Sequence, residues 1–88
     1  MERYILDGEN FITKEDAYEY IKSVFDFPDY FGNNLDALWD SLRDLGEVQI
    51  VIINAESIRE NLEEYGYDIL DVFEDLNKFE DVEVEIYD

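Results

Sequence analysis

The segment Val48–Ile53, which reads Val-Gln-Ile-Val-Ile-Ile, constrains the fold more than any other part of this chain. It is a nearly continuous apolar run made of β-branched residues, which is typical of a β-strand covered on both faces. Other elements must therefore supply that cover. We predict that Val48–Ile53 occupies a covered position in the sheet of an α/β fold.

Two weaker strand patterns lie near the ends of the chain. Arg3–Asp7 is rich in β-branched and aromatic residues, and the dipeptide Asp7-Gly8 indicates a turn after it. Val82–Ile86 alternates apolar residues with Glu83 and Glu85. Such alternation predicts a half-exposed strand and favours an edge position.

Helical spacing fills the interval between the first two strands. Thr13 followed by Asp16 approximates a capping box for a first helix that runs to about Phe25. Pro28 disfavours helix at the residue before it, so residues 27–33 are expected to form an ordered loop. The second helix begins after Asn34 and is expected to end at Gly46. Its apolar stripe consists of Leu35, Leu38, Leu42 and Leu45.

The interval between the second and third strands also predicts two helices. Asn54 is expected to cap the first of them, and Gly66 is expected to break it. Asp68 is expected to cap the next helix, whose apolar residues are Ile69, Leu70, Val72, Phe73 and Leu76. The sequence does not reveal the strand order.

The element order is strand, two helices, strand, two helices, strand. Each helical pair is long enough for a right-handed crossover that leaves the strands parallel. We therefore predict one α/β domain over residues 1–88, in which about four helices pack on a small three-stranded parallel sheet.

The charge balance restricts the partners that this 88-residue chain can have. Six Lys and Arg residues oppose 25 Asp and Glu residues, which gives a formal net charge of −19. Binding to phosphate backbones or anionic lipid needs a cationic surface, so direct nucleic-acid or membrane binding is disfavoured and a cationic partner is favoured. A charge of this size also argues against self-association, so we expect a monomer.

Several chemistries are missing from the sequence. The chain has no Cys and no His, which argues against zinc sites, disulfides and imidazole catalysis. We expect no metal and no cofactor. The amino terminus lacks the pattern of a secretory signal and no apolar run reaches the length of a membrane span, so we expect a cytoplasmic protein.

The second helix carries the residues that could bind a partner. On a helical wheel, its leucines occupy one side, and Trp39 lies at the border. The opposite side carries Asp36, Asp40, Arg43 and Asp44, with Arg43 spaced to neutralise Asp40. Tyr30, Phe31 and Gly32 approach from the preceding loop, so these residues form an aromatic and acidic surface that resembles a contact surface.

Two other interpretations of the Asp36 and Asp40 pair remain open on spacing alone. Acidic residues four positions apart are frequent in a chain this acidic, so the pair could be a solvated face. An acid and base pair of a hydrolase would need a cleft and a buried carboxyl group, which a solvated helix face does not supply. On spacing alone the solvated face is favoured over a contact surface.

The segment Asp29–Leu42, which reads DYFGNNLDALWDSL, resembles the signature of the barstar family, intracellular inhibitors of barnase-type ribonucleases. The similarity extends to the opening strand, the run Val48–Ile53 and the last helix. The resemblance implies a barstar-like fold of three parallel strands with packed helices. It also implies that the second helix and the loop before it insert into the active site of a cationic ribonuclease and exclude RNA.

The resemblance implies a set of ribonuclease-binding residues. Asp36 and Asp40 would face the cations that await RNA phosphate, and Asp40 is expected to matter most. The full set is Tyr30, Phe31, Gly32, Asn34, Leu35, Asp36, Trp39, Asp40, Arg43, Asp44, Val72 and Asp75.

The chain departs from the family pattern at several of these positions. Phe31 replaces a Tyr, Asp75 replaces a Glu, Arg43 adds a cation, and Asp44-Leu45 replaces Gly-Trp. These departures leave the cognate nuclease open. The alternative is an acidic interaction or immunity module for a different cationic protein.

Overall fold

The chain forms three β-strands and four α-helices in the predicted order. A computed structural model describes residues 1–88. The elements are β1 (Glu2–Asp7), α1 (Lys14–Phe25), α2 (Leu35–Arg43), β2 (Val48–Ile53), α3 (Ala55–Leu62), α4 (Glu64–Asp75) and β3 (Val82–Ile86), with 3-10 turns at Gly8–Asn10 and Leu76–Lys78. None of the helices combines the length and apolarity needed to cross a bilayer. The predicted fold class, a small parallel α/β sheet with four helices, is confirmed.

The three strands form one parallel sheet in the order β1-β2-β3. Tyr4, Ile50 and Val84 stand side by side in the register. The apolar run is therefore the central strand, and β3 is an edge strand, as its alternation with Glu83 and Glu85 favoured. Each edge strand pairs only with β2.

The helices cover one face of this sheet and the other face is only partly buried, so the prediction of cover on both faces is met in part. Leu6, Ile50 and Val84 belong to the cluster of 20 buried apolar residues that the helices contribute to. On the other face Val51 is only 5% exposed, but Ile5 is 50% exposed and Ile53 is 37% exposed. The strand order explains this, because two right-handed crossovers that step in the same direction place both helix pairs on the same face.

The predicted starts of α1 and α2 are confirmed. Thr13 Oγ1 accepts a hydrogen bond from the Asp16 amide at 3.1 Å, and Asn34 Oδ1 accepts one from the Ala37 amide at 2.8 Å. These bonds satisfy amides that have no partner within the helix. Helix α2 ends at Arg43, so Leu45 lies just beyond it.

The predicted break between α3 and α4 is misplaced. Glu63, whose backbone has a positive φ of 55° and a ψ of −130°, separates the two helices, and Gly66 lies inside the first turns of α4. A Cβ atom on Gly66 would stand 2.5 Å from the carbonyl oxygen of Ile58 in α3. Glycine is present here because the helices approach closely, and Asp68 is an interior residue of α4 instead of its cap.

Asn54 precedes α3 as predicted but does not cap it with its side chain. Its backbone is left-handed, with φ of 55°, and no side-chain bond reaches the helix. The Asn54 amide group donates instead to Asp7 Oδ1 at 3.0 Å. This bond joins the carboxyl ends of β1 and β2.

Candidate protein-binding site

A groove of about 420 Å³ lies between α2 and the carboxyl end of α4. Leu35, Asp36, Trp39, Val72, Asp75, Lys78 and Phe79 line it. Five of these residues were predicted as site residues from two segments that are distant in sequence. No hydrogen bond joins α2 to α4, so apolar contact holds the two walls together.

The burial of one side of α2 determines which of its side chains face outward. Leu38 and Leu42 are fully buried against the core. At about 100° per residue, Asp40 points away from these leucines, and it is exposed. Asp36 is also exposed, and it lies in the first turn, where the helix dipole favours a carboxylate. The fold therefore presents both carboxylates to solvent beside the groove.

Asp36 and Asp40 have no cationic partner within the protein. The ion pairs use Lys22, Arg43, Arg59 and Lys78, each with other carboxylates. A fifth cation, Lys14, lies 4.6 Å from the centre of the Tyr65 ring. The two carboxylates of α2 are thus free to bind an external cation.

Arg43 does not neutralise Asp40 as the spacing predicted. Its Nη1 lies 3.9 Å from Asp81 Oδ1, and its guanidinium carbon stands 3.5 Å from the centre of the Phe79 ring. Stacking on an aromatic face suits the planar guanidinium. The cation is therefore held at the side of the contact face, where it leaves Asp40 unpaired.

The loop before α2 divides its two aromatic residues between solvent and core. Tyr30 is 88% exposed, as a contact residue should be. Phe31 is only 8% exposed and its ring lies 5.2 Å from that of Phe27 and 6.0 Å from that of Tyr18. The prediction that Phe31 forms part of the surface patch therefore does not match the structure. Its ring anchors the loop instead.

Backbone and amide contacts shape the rest of this loop. Asn34 Nδ2 donates to the carbonyl oxygen of Gly32 at 3.0 Å, while its Oδ1 caps α2. One side chain thus fixes both the loop and the start of the helix. This arrangement determines where Asp36 emerges.

A second hollow of about 290 Å³ lies on the other flank of α2. Tyr30 and Asp44 line it together with Pro28, Ser41 and Leu45. Asp40 lines neither depression and stands on the ridge between them. The predicted site residues of α2 therefore occupy both flanks and the crest of this helix, while Val72 and Asp75 come from α4.

Sequence reasoning missed Lys78 and Phe79. Both follow α4, outside its apolar periodicity. Lys78 Nζ lies 3.7 Å from Asp75 Oδ1, and Phe79 contacts Trp39 with ring centres 6.0 Å apart. No local pattern marks them, because their role depends on how α4 is placed against α2.

Comparison with known proteins agrees with this geometry. The family model described as Barstar (barnase inhibitor) matches residues 1–87. A protein of Bacillus subtilis (strain 168) named "Putative ribonuclease inhibitor YrdF" is 36% identical over 77 residues, which cover 85% of each chain. A match over nearly the whole chain, together with the parallel sheet described above, shows that this protein belongs to the barstar family.

Proposed function

We propose that this protein is a cytoplasmic, monomeric inhibitor that blocks the active site of a small basic ribonuclease in a one-to-one complex. The observation that carries the proposal is the pair of unpaired, exposed carboxylates, Asp36 and Asp40, beside an apolar groove. Membership of the barstar family supports an inhibitor of this kind, as does the name of the Bacillus subtilis relative.

The electrostatics of α2 suit a ribonuclease active site. Such a site holds cations already arranged for RNA phosphate, and carboxylates can occupy the same positions. Because Asp36 and Asp40 have no internal partner, binding breaks no ion pair of their own. The net charge of −19 would also raise the association rate with a basic protein, and this effect would weaken with salt.

The groove supplies the apolar part of the proposed interface. Leu35, Trp39 and Val72 form a half-buried surface that can receive an apolar side chain. Partly buried aromatic anchors surrounded by polar residues are typical of the energetic centre of protein interfaces. Asp75 and Lys78 would then lie at the rim, where charges contribute mainly to specificity.

We propose that Asp36 and Asp40 bind and do not catalyse. An acid and base pair needs a carboxyl group held in a cavity and a cleft for the substrate. Both carboxylates are exposed on one helix, and the groove lies to the side of Asp40. The arrangement supports a surface that presents charge to a partner.

The test is a titration of this protein into a small secreted ribonuclease of the barnase type, with RNA cleavage followed at low salt. We expect a sharp endpoint at one inhibitor per enzyme. The double variant D36N/D40N should lose this endpoint. The matched control E60Q/E64Q removes the same charge from exposed positions on other helices and should keep it.

Two results would contradict the proposal. Equal weakening by both double variants would mean that net charge, and not the α2 surface, causes the inhibition. No inhibition by the parent protein at low salt would reject a barnase-type target. In that case, capture of a different basic protein through the same α2 residues would support the alternative of an immunity or interaction module.

A further inference from the structure

One aromatic ring, that of Phe79, contacts both a cation and the only tryptophan of the chain. The guanidinium carbon of Arg43 stands 3.5 Å from the centre of the Phe79 ring. The Trp39 and Phe79 ring centres are 6.0 Å apart, with 51° between the ring planes. Asp81 Oδ1 lies 3.9 Å from Arg43 Nη1. The four side chains form a chain of contacts that ends in the groove.

We propose that Arg43 and Phe79 are positioning residues that hold the Trp39 ring in its groove orientation before a partner arrives. The inference rests on the proposed function for its effect on binding, although the ordering of Trp39 is a property of the free protein. Arg43 would then act on the interface through Phe79 instead of touching the ribonuclease.

The position of Phe79 makes such support necessary. It follows a single 3-10 turn after α4, so no regular helix orients it. Its ring is only partly buried, and the Arg43 guanidinium covers one face. A cation over an aromatic face is attracted by the ring quadrupole, and the contact also removes that face from water. Removing Arg43 would leave the ring with one less contact to fix it.

The ordering of Trp39 has a consequence for affinity. A side chain that is immobile before binding loses less conformational entropy when the complex forms. The gain should appear mainly in the dissociation rate, as most affinity differences between related complexes do. A direct role for Arg43 predicts the opposite behaviour, because a cation facing a basic enzyme would slow association.

The experiment uses the full-length protein and two readouts. Time-resolved fluorescence anisotropy, with selective excitation of tryptophan, reports the motion of Trp39 alone because the chain has one Trp. Stopped-flow mixing with a barnase-type ribonuclease gives the association and dissociation rates. The variants are Arg43→Ala, which removes the cation, and Phe79→Leu, which keeps apolar volume but removes the aromatic face.

Arg59→Ala is the matched control. Arg59 also bonds to a carboxylate, that of Asp88, and lies 5.7 Å from the centre of the Tyr67 ring, but these contacts are not part of the groove. Arg59→Ala removes the same single positive charge from the protein as Arg43→Ala. Circular dichroism and thermal unfolding would establish that all variants fold.

We expect Arg43→Ala and Phe79→Leu to increase the local motion of Trp39 and to raise the dissociation rate by about two- to tenfold. Arg59→Ala should change neither. Unchanged Trp39 motion in Arg43→Ala overturns the proposal, as does faster association with an unchanged dissociation rate. If the parent does not bind the ribonuclease, the proposed function fails for that enzyme, while the anisotropy of the free variants still decides the positioning role.

Discussion

Helices α2 and α3 look alike in sequence but differ in what they can bind. Each is short, follows an Asn, carries acidic residues and has an Arg beside an aromatic ring. In α3, Glu56 pairs with Arg59 at 3.4 Å, and Arg59 also bonds to Asp88. In α2, Asp36 and Asp40 are unpaired, and a groove containing Trp39 lies beside them.

The comparison shows that acidity alone does not make a binding surface. Both helices contribute to the net charge of −19. Only α2 combines free carboxylates with an apolar depression, because α4 and the turn after it stand at the right distance to form the second wall. Specific binding should therefore follow the groove, whereas long-range attraction should follow the total charge.

The largest expected difference between α2 and α3 is the loss of binding affinity when one carboxylate is removed from each helix. Asp40→Ala should weaken the ribonuclease complex by about 2–5 kcal/mol, chiefly through faster dissociation, because cations buried in the interface would lose their partner. Glu60→Ala on α3 should change the affinity by less than about 0.5 kcal/mol. Stopped-flow kinetics would measure both variants. Equal effects would remove the distinction between the helices.

The next largest effect is on stability, and it compares the packing of Gly66, between α3 and α4, with that of Gly32, before α2. Gly66→Ala should lower the free energy of unfolding by about 1–3 kcal/mol, because its Cβ would meet the Ile58 backbone of α3 at 2.5 Å. Gly32→Ala, in the loop before α2, would bring side-chain atoms to 3.1 and 3.2 Å and should cost less. Urea unfolding would compare them. A larger loss for Gly32→Ala would contradict the close approach of α3 and α4.

A third difference lies at the two ends of α4. Its amino end is tied to α1 by the bond between the Tyr65 and Tyr18 hydroxyls, whereas no hydrogen bond ties its carboxyl end to α2. Burial, followed by the bond to Tyr65, raises the pKa of Tyr18 well above its usual range. In the unfolded chain Tyr18 has the ordinary tyrosine pKa of about 10, so the stabilisation from its raised folded-state pKa is fully present below that pH. This stabilisation is lost as the pH rises from there toward the folded-state pKa.

The free energy of unfolding should therefore fall by about 1.4 kcal/mol per pH unit above about pH 10 through Tyr18 alone. Urea unfolding across this range, compared between the parent and Tyr18→Phe, would isolate the contribution. Tyr67→Phe, at an exposed position, serves as the control. Parallel pH profiles for the parent and Tyr18→Phe would show that Tyr18 is not the source.

The smallest effect separates the two asparagines that precede α2 and α3. Asn34→Asp keeps the oxygen that accepts from the Ala37 amide and gains a carboxylate at the helix start, which offsets the lost exposed bond to the Gly32 carbonyl, so stability should stay within about 0.5 kcal/mol of the parent. Asn54→Asp removes the amide that donates to Asp7 and places a second carboxylate beside it, so it should cost about 1 kcal/mol or more. Thermal unfolding near neutral pH would measure both. Equal losses would mean that the two asparagines have the same role.

Much of this architecture could be predicted from local patterns. The caps at Thr13 and Asn34, the end of α1 at Phe25 and the edge position of Val82–Ile86 agree with the structure. Gly66 was misread because a glycine needed for close helix packing looks the same in sequence as one needed for a chain reversal. The resemblance contributed Val72 and Asp75, which periodicity alone would not have connected to α2.

The sequence by itself determined the types of element and their order along the chain, the parallel direction of the strands, and the acidic face of α2. These properties depend on residues a few positions apart, through caps, turns and periodicity. Only the tertiary structure decided that the helices cover one face of the sheet, and that Arg43 stacks on Phe79 and leaves Asp40 free. Those outcomes depend on the direction of two crossovers, which bring residues more than thirty positions apart into contact.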